Sequence, residues 1–135
     1  MTVPSNAEIT KLVNDRLRGD TLLMGMVGNR IYNHIPQDAP LPCLRFRWEQ
    51  AGQWDHKDAA GYEGYITCDV WTDHRGDKQA QEIADRLESL MHNQPLTSMT
   101  TGQSLLLMHD LVDTFTEPDG LTHHTMVRFR AIVTT

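Results

Sequence analysis

The most constraining stretch of this sequence is residues 61–93, where the hydrophobic period changes from two to 3.6. In residues 65–70, Ile66, Cys68 and Val70 alternate with less apolar residues, which indicates a strand with one buried face. After a polar turn, residues 78–91 place apolar side chains at the i, i+3, i+4, i+7 spacing of a one-sided helix. A one-sided strand and a one-sided helix bury their apolar surfaces by packing together, so the sequence predicts helices on a sheet.

The N-terminal part predicts two helical segments. Ser5 and Glu8 have the spacing of a capping box, and the helix that follows carries a single apolar stripe before Gly19 ends it. Asp20 can cap a second, shorter helix, for which Gly28 supplies a left-handed stop.

Two antiparallel hairpins are predicted after these helices. A short extended piece at residues 30–33 precedes a proline-rich loop, and a strand begins at about Cys43. Residues 43–71 then form a long hairpin with its tip at residues 53–58. Residues 96–102 are expected to be a polar connection before the second hairpin, residues 103–133.

The second hairpin has a strong turn signal in Glu-Pro-Asp-Gly at residues 117–120. A strict period of two places Leu105, Leu107, Leu111 and Phe115 on one face of its first strand, and Leu106, Met108 and Val112 on the other. The expected fold is a single α+β domain, residues 1–135. It has an antiparallel sheet of four to five strands, with two N-terminal helical segments and one long helix on one face.

Composition narrows the functional classes. The 135 residues suit one domain with a real core, and the net charge of −6 argues against general nucleic-acid binding. No apolar run spans a bilayer and no signal sequence opens the chain, so we expect a cytoplasm-like compartment and no membrane. Two cysteines make no disulfide framework, and both Cys43 and Cys68 are expected to be reduced packing residues.

Catalytic and metal-binding signals are weak. The seven histidines show no HxH or HExxH spacing, and adjacent His123 and His124 point to opposite faces of a strand. Cys68 lies on a buried phase, Cys43 lacks an activating neighbour, and phosphate- or nucleotide-binding glycine motifs are missing. We therefore expect no catalytic residue, no metal, no cofactor and no enzymatic activity.

Surface features favour protein contacts. Arg45 and Arg47 share a face of one strand, and Arg128 and Arg130 share a face of another. The four would form a basic stripe if the strands were neighbours, but cross-strand pairs with Glu49, Glu63 and Asp69 are expected to neutralise it. The same polar face carries Tyr65, Trp71, Met126 and Ile132, a composition typical of interface cores.

Both hairpin tips are candidate contact sites. The first contains Trp54, Asp55, His56 and Lys57, and the second contains Pro118 and Asp119. An aromatic side chain on a polar tip either anchors a partner or folds back onto its own sheet, and the sequence leaves both alternatives open.

Several motifs together resemble the small tail-completion, or tail-terminator, proteins of long-tailed bacteriophages. They are Val-Gly-Asn-Arg-Ile-Tyr at residues 27–32, Pro36 with Leu-Pro at 41–42, and Ile-Thr-Cys-Asp-Val-Trp at 66–71. The helix over residues 80–91 and the strand Met-Val-Arg-Phe-Arg at 126–130 follow in the same order. The resemblance covers roughly residues 7–134, and the dense proline loop before Cys43 departs from it.

The resemblance implies a structural protein of the virion tail, assembled in the bacterial host cytoplasm. Members form a ring, typically hexameric, that caps the tail tube at its head-proximal end and stops tube polymerisation. The implied partners are copies of the chain itself, the major tail tube protein and a head-side connector, while DNA passes the lumen without specific binding. A −6 charge is compatible with such a lumen, because basic groups would trap the phosphate backbone.

Two other classes of role remain open from the sequence. A head-completion or stopper protein, or a tail-assembly chaperone, would share these features. A small-ligand binder or enzyme that uses the histidines belongs to a different class.

Overall fold

The structure, a computed structural model, describes residues 5–36, 39–53, 61–73, 78–98, 101–102, 104–118 and 120–134. In chain order the elements are α1 (Asn6–Arg18), α2 (Thr21–Val27), β1 (Ile31–Tyr32), β2 (Cys43–Gln53), β3 (Gly61–Thr72), α3 (Lys78–Met91), β4 (Leu96–Thr97), β5 (Ser104–Thr116) and β6 (His123–Thr134). The three helices and the predicted hairpins are therefore where the periodicity indicated.

Capping residues set the helix boundaries as predicted. The Ser5 side chain accepts from the Glu8 amide at 3.1 Å, and Asp20 accepts from the Leu23 amide at 2.8 Å. Gly28 ends α2 in the left-handed conformation with φ of 59°, which glycine adopts without steric cost.

The sheet has six strands in the order β1-β2-β3-β6-β5-β4. The expected α+β class is correct, but the expected four to five antiparallel strands are not exact. β1 pairs with β2 in parallel, which makes the sheet mixed, and β4 forms within the stretch expected to be only a polar connection. Each of these two strands has two residues, and their pairing partners lie elsewhere in the chain, so local periodicity carries no signal for them.

One apolar core lies between the helices and one face of the sheet, here called the inner face. The largest fully buried side chains come from both layers, and they include Ile9, Leu17, Ile83, Leu44, Ile66, Phe46 and Phe129. The opposite face of the sheet, here called the outer face, has no helix against it in the part of the chain that the structure describes.

A bulge in β5 corrects the predicted faces of that strand. His109 pairs with Phe129 and Leu111 pairs with Arg128, so Asp110 is an extra residue in the ladder. An extra residue reverses the alternation that follows it. Val112 therefore lies opposite Val127 on the inner side, while Leu111 and Phe115 lie on the outer side, the reverse of the grouping predicted by a strict period of two.

Candidate interaction surface

The strand register builds the outer face in rows across β2, β3, β6 and β5. The first row contains Cys43, Trp71, His124 and Phe115; the second contains Arg45, Asp69, Met126 and Asp113; the third contains Arg47, Thr67, Arg128 and Leu111; the fourth contains Glu49, Tyr65, Arg130 and Met108. Glu63, Ile132 and Leu106 continue the face beyond the fourth row.

All four arginines of the outer face are paired with carboxylates of the same chain. The closest approaches are 2.9 Å from Arg45 to Asp69, 3.2 Å from Arg47 to Glu49, 2.6 Å from Arg128 to Asp110 and 2.6 Å from Arg130 to Glu63. The predicted cross-strand neutralisation is confirmed for Glu63 and Asp69, whereas Glu49 pairs with Arg47 of its own strand. Asp110 was not predicted to take part, because the bulge is what places it beside Arg128.

Aromatic rings lie beneath two of these guanidinium groups. Arg128 lies 4.7 Å from the centre of the Tyr65 ring, and Arg45 lies 5.3 Å from the Trp71 ring. Stacking of this kind holds the long side chains flat against the sheet. Because its charges are paired and its arginines are flattened, the surface presents hydrocarbon and aromatic area instead of a free basic stripe.

Asp69 is the most deeply placed charge of the outer face, with 2% of its surface exposed. One carboxylate oxygen accepts from Arg45 Nη2 at 2.9 Å, and the other lies 2.8 Å from His124 Nε2. The His124 ring stacks on Trp71 with centroids 4.5 Å apart. A buried carboxylate requires such partners, and here they fix the Trp71 ring in place.

The β5 side of the outer face is apolar and exposed. Leu106 is 41% exposed and Met108 is 46% exposed, and partly buried Ile132 and Leu111 lie beside them. Large neighbouring apolar side chains left open to solvent are typical of protein contact sites.

An apolar pocket occupies the β2 side of the first row. It has a volume of about 400 Å³ and is lined by Ile35, Pro36, Ala39, Leu41, Cys43, Arg45 and Trp71. The proline-containing loop before β2 forms its outer wall, and the Leu41–Pro42 peptide bond in that loop is cis.

The residues predicted for contacts fall into two groups. Tyr65, Trp71, Arg128 and Arg130 do lie on one continuous face, and Pro118 is exposed at the turn between β5 and β6. Trp54, Asp55, His56, Lys57 and Asp119 lie outside the described residues. Whether any of these residues contacts a partner stays a prediction.

Sequence reasoning missed the pocket and the exposed side chain of Leu121. The pocket needs the proline loop to fold back over Trp71, which local patterns do not encode. Leu121 directly follows a polar turn signal. A large apolar residue at such an exposed position could have indicated a contact site.

Among the described residues, the side chains to consider for chemistry are the metal-ligating ones and the two cysteines. Within those residues, no group of three or more His, Cys, Asp or Glu side chains is placed to hold a metal ion. Both cysteines are free and buried, as predicted, and burial raises the pKa of Cys43 and that of Cys68, the latter to about 12. None of the described helices combines the length and apolarity needed to cross a membrane.

Solved structures share this fold. A chain from the virion of a native gene transfer agent particle is 20% identical, with a TM-score of 0.82, over 99% of this chain and 100% of that one. The gp17 protein of bacteriophage SPP1 is 21% identical, with a TM-score of 0.63, over 93% of this chain and 88% of that one. A comparison with curated proteins gives no match.

The fold shared with these chains is a small α+β domain with one open sheet face. The sequence model of the tail completion protein gp17 family matches residues 11–134. The chain belongs to that family, which confirms the resemblance and places it among structural proteins of the virion, not enzymes.

Proposed function

We propose that this protein completes the phage tail by forming a ring, a hexamer, on the head-proximal end of the tail tube. The ring stops polymerisation of the tube and presents the surface to which the head-side connector binds. The observation that carries this proposal is the outer face, which combines exposed apolar side chains with arginines that are already neutralised.

The residue chemistry supports a role through contacts. Aromatic side chains, methionine and arginine are enriched at the centres of protein interfaces, and all three are present on the outer face. The paired arginines also leave little free positive charge to hold a phosphate backbone, which suits a ring through which DNA passes without specific binding. Family membership supports the place of action, the virion tail.

A strain that lacks the gene tests the proposal. We expect tail-less heads beside overlong or unjoined tails, and restoration of normal particles by the wild-type gene. Met108→Asp places a charge on the outer face and should fail to restore them, because burying an unpaired carboxylate in a contact costs several kcal/mol.

Leu22→Asp is the matched control. Leu22 is 59% exposed on α2, in the helix layer and away from the outer face, so this variant should restore particles. Normal tails without the gene, or full activity of Met108→Asp, would contradict the proposal. Labelled protein at the portal would instead favour a stopper, and its absence from finished particles would favour a chaperone.

A further inference from the structure

Leu121 is the most exposed large apolar side chain among the described residues, with 72% of its surface open. It lies just after the turn between β5 and β6. The Gly120 amide donates to the Glu117 carbonyl at 2.9 Å, and the Glu117 amide donates to the Thr122 carbonyl at 2.8 Å. The leucine therefore projects from a hydrogen-bonded turn, which limits the ordering entropy lost when the side chain docks.

The apolar pocket beside Trp71 has the size and lining to receive such a side chain. Its volume is about 400 Å³, whereas a cavity of about 150 Å³ already holds a benzene molecule. Ile35, Leu41 and the Trp71 ring supply apolar walls. The leucine of the same copy does not fill it, because that side chain is exposed.

Leu121 and the pocket lie at the same end of the sheet, but at different strands on either side of its middle. The pocket adjoins β2 and β3, and the turn joins β6 and β5. A projection on one side and a matching recess on the other side make a heterologous contact, and repetition of such a contact generates a ring when the rotation between copies closes.

Charges near the leucine and near the pocket are of opposite sign. Arg30 borders the pocket, because its Nε donates to the Pro42 carbonyl at 2.7 Å and its positive charge counteracts the burial that raises the pKa of Cys43 in the pocket wall. Asp113 is exposed on β5 near the turn, and Glu117 is half-buried at the turn itself. An acidic turn that carries a leucine is therefore complementary to an apolar pocket bordered by an arginine.

We propose that the β5–β6 turn of one copy inserts Leu121 into the Trp71 pocket of the next copy, and that this contact repeats around the ring. The partner is thus a second copy of this chain. The inference rests on the ring of the proposed function and names the surfaces that close it.

Complementary variants test the contact by mass photometry or analytical ultracentrifugation. Leu121→Asp replaces the projecting leucine with a charged side chain, and Ala39→Trp fills the pocket. Each variant alone should therefore be a monomer at a concentration at which the wild type is fully assembled. An equimolar mixture should form a one-to-one heterodimer, because one intact turn meets one intact pocket and neither end can extend further.

Two matched controls separate the contact from general effects of the substitutions. Leu22→Asp charges another exposed leucine, and Gln81→Trp adds an indole to the solvent side of α3; both should keep the wild-type mass. Unchanged thermal melting of the monomeric variants shows that they fold.

Retention of wild-type mass by either contact variant, or a mixture that stays monomeric, would overturn the inference and leave the ring intact. A wild-type chain that stays monomeric at high concentration with tube protein present would overturn both. Normal tails in a strain that lacks the gene would rule out the proposed tail function. The mass measurements would still test the contact between copies.

Discussion

At the scale of single residues, some polar side chains of the outer face are buried, although no described helix covers this face. The alternation in β3 predicted that Thr67 and Asp69 would point away from the core, and they do, but both are buried. Arg45 and His124 bind the carboxylate of Asp69, and the Trp71 ring stacks against both of these side chains. Exposure on an open sheet face therefore depends on cross-strand neighbours, which a period of two does not reveal.

Gly64 supports a close contact between two strands. A methyl group added there would collide with the Trp48 ring and with the Glu49 carbonyl oxygen. Gly64→Ala should therefore lower the free energy of unfolding by about 2 kcal/mol, the usual effect of overpacking, measured by urea denaturation.

Gly25→Ala is the control for this substitution. Gly25 is exposed in α2, and an added methyl group meets no atom within 4 Å beyond the helix's own backbone. Since glycine costs about 1 kcal/mol relative to alanine inside a helix, this change should stabilise the protein. A stable Gly64→Ala variant would show that β2 and β3 do not pack as described.

Cys68 should make stability depend on pH under alkaline conditions. Burial raises the pKa of its thiol from 9.0 to about 12 in the folded protein. The unfolded chain therefore releases this proton first, and the stability contributed by the neutral thiol is lost as pH rises from 9 to 12.

Cys68→Ala isolates this effect. Its free energy of unfolding should fall less steeply than that of wild type between pH 8 and pH 10.5, by urea denaturation. Equal slopes would contradict a buried Cys68, since the other titrating groups are common to both proteins.

At the scale of secondary-structure elements, Asp20 joins two helices. It caps α2 and receives two hydrogen bonds from Arg86 of α3, from Nε at 2.8 Å and from Nη2 at 2.5 Å. The hydrogen bond from Arg86 is the main reason that the pKa of Asp20 is lowered, and the Leu23 amide adds to it.

Asp20→Ala should lower the free energy of unfolding at pH 7 by about 1–2 kcal/mol for the lost cap alone. The pKa of Asp20 is depressed in the folded state, so the stability it contributes is present above the unfolded pKa, about 3.9, and is lost as pH falls below it. The difference between wild type and variant, measured by urea denaturation, should therefore shrink toward pH 2.

Asp15→Ala is the matched surface control. Asp15 pairs with Lys11 at 2.8 Å on the exposed side of α1, where such pairs contribute little. A smaller loss for Asp20→Ala than for Asp15→Ala would mean that the α2–α3 connection does not stabilise the fold.

The elements that the sequence predicted share one property, namely that their signals are local. Helix caps, apolar stripes and turn residues lie within a few positions of one another, and so α1, α2, α3 and both hairpins were predictable. β1 and β4 have two residues each, which is too short to show a period, and the bulge at Asp110 is defined only by pairing with β6. Phe115 and Leu111 were therefore assigned to the wrong face, although Leu105 and Leu107 before the bulge were assigned correctly.

At the scale of the whole molecule, the sequence identified a contact face but not the shape of its binding features. Tyr65, Trp71, Arg128 and Arg130 were grouped by alternation alone. The pocket beside Trp71 could not be predicted, because it exists only where the proline loop folds over the first row of the outer face.

The tip of the first hairpin offers a separate test of function in the assembled particle. Replacement of residues 53–58 by a Gly/Ser linker should leave the fold intact, because the core residues that the structure describes all come from other segments, and it should block the joining of tails to heads. Thermal melting checks the fold, and electron microscopy of particles checks joining. Normal infectious particles after the replacement would remove this tip from the proposed contact sites.

The last five residues of β5 have a further consequence. Beyond the bulge, residues 112–116 are exposed, and among the described residues they pair with β6 on one side only. An edge segment with so few apolar neighbours opens at low energetic cost, so its amide hydrogens should exchange rapidly with deuterium in a lone subunit. In the assembled ring, docking of the adjacent turn should slow that exchange, and mass spectrometry would then report subunit joining directly in solution.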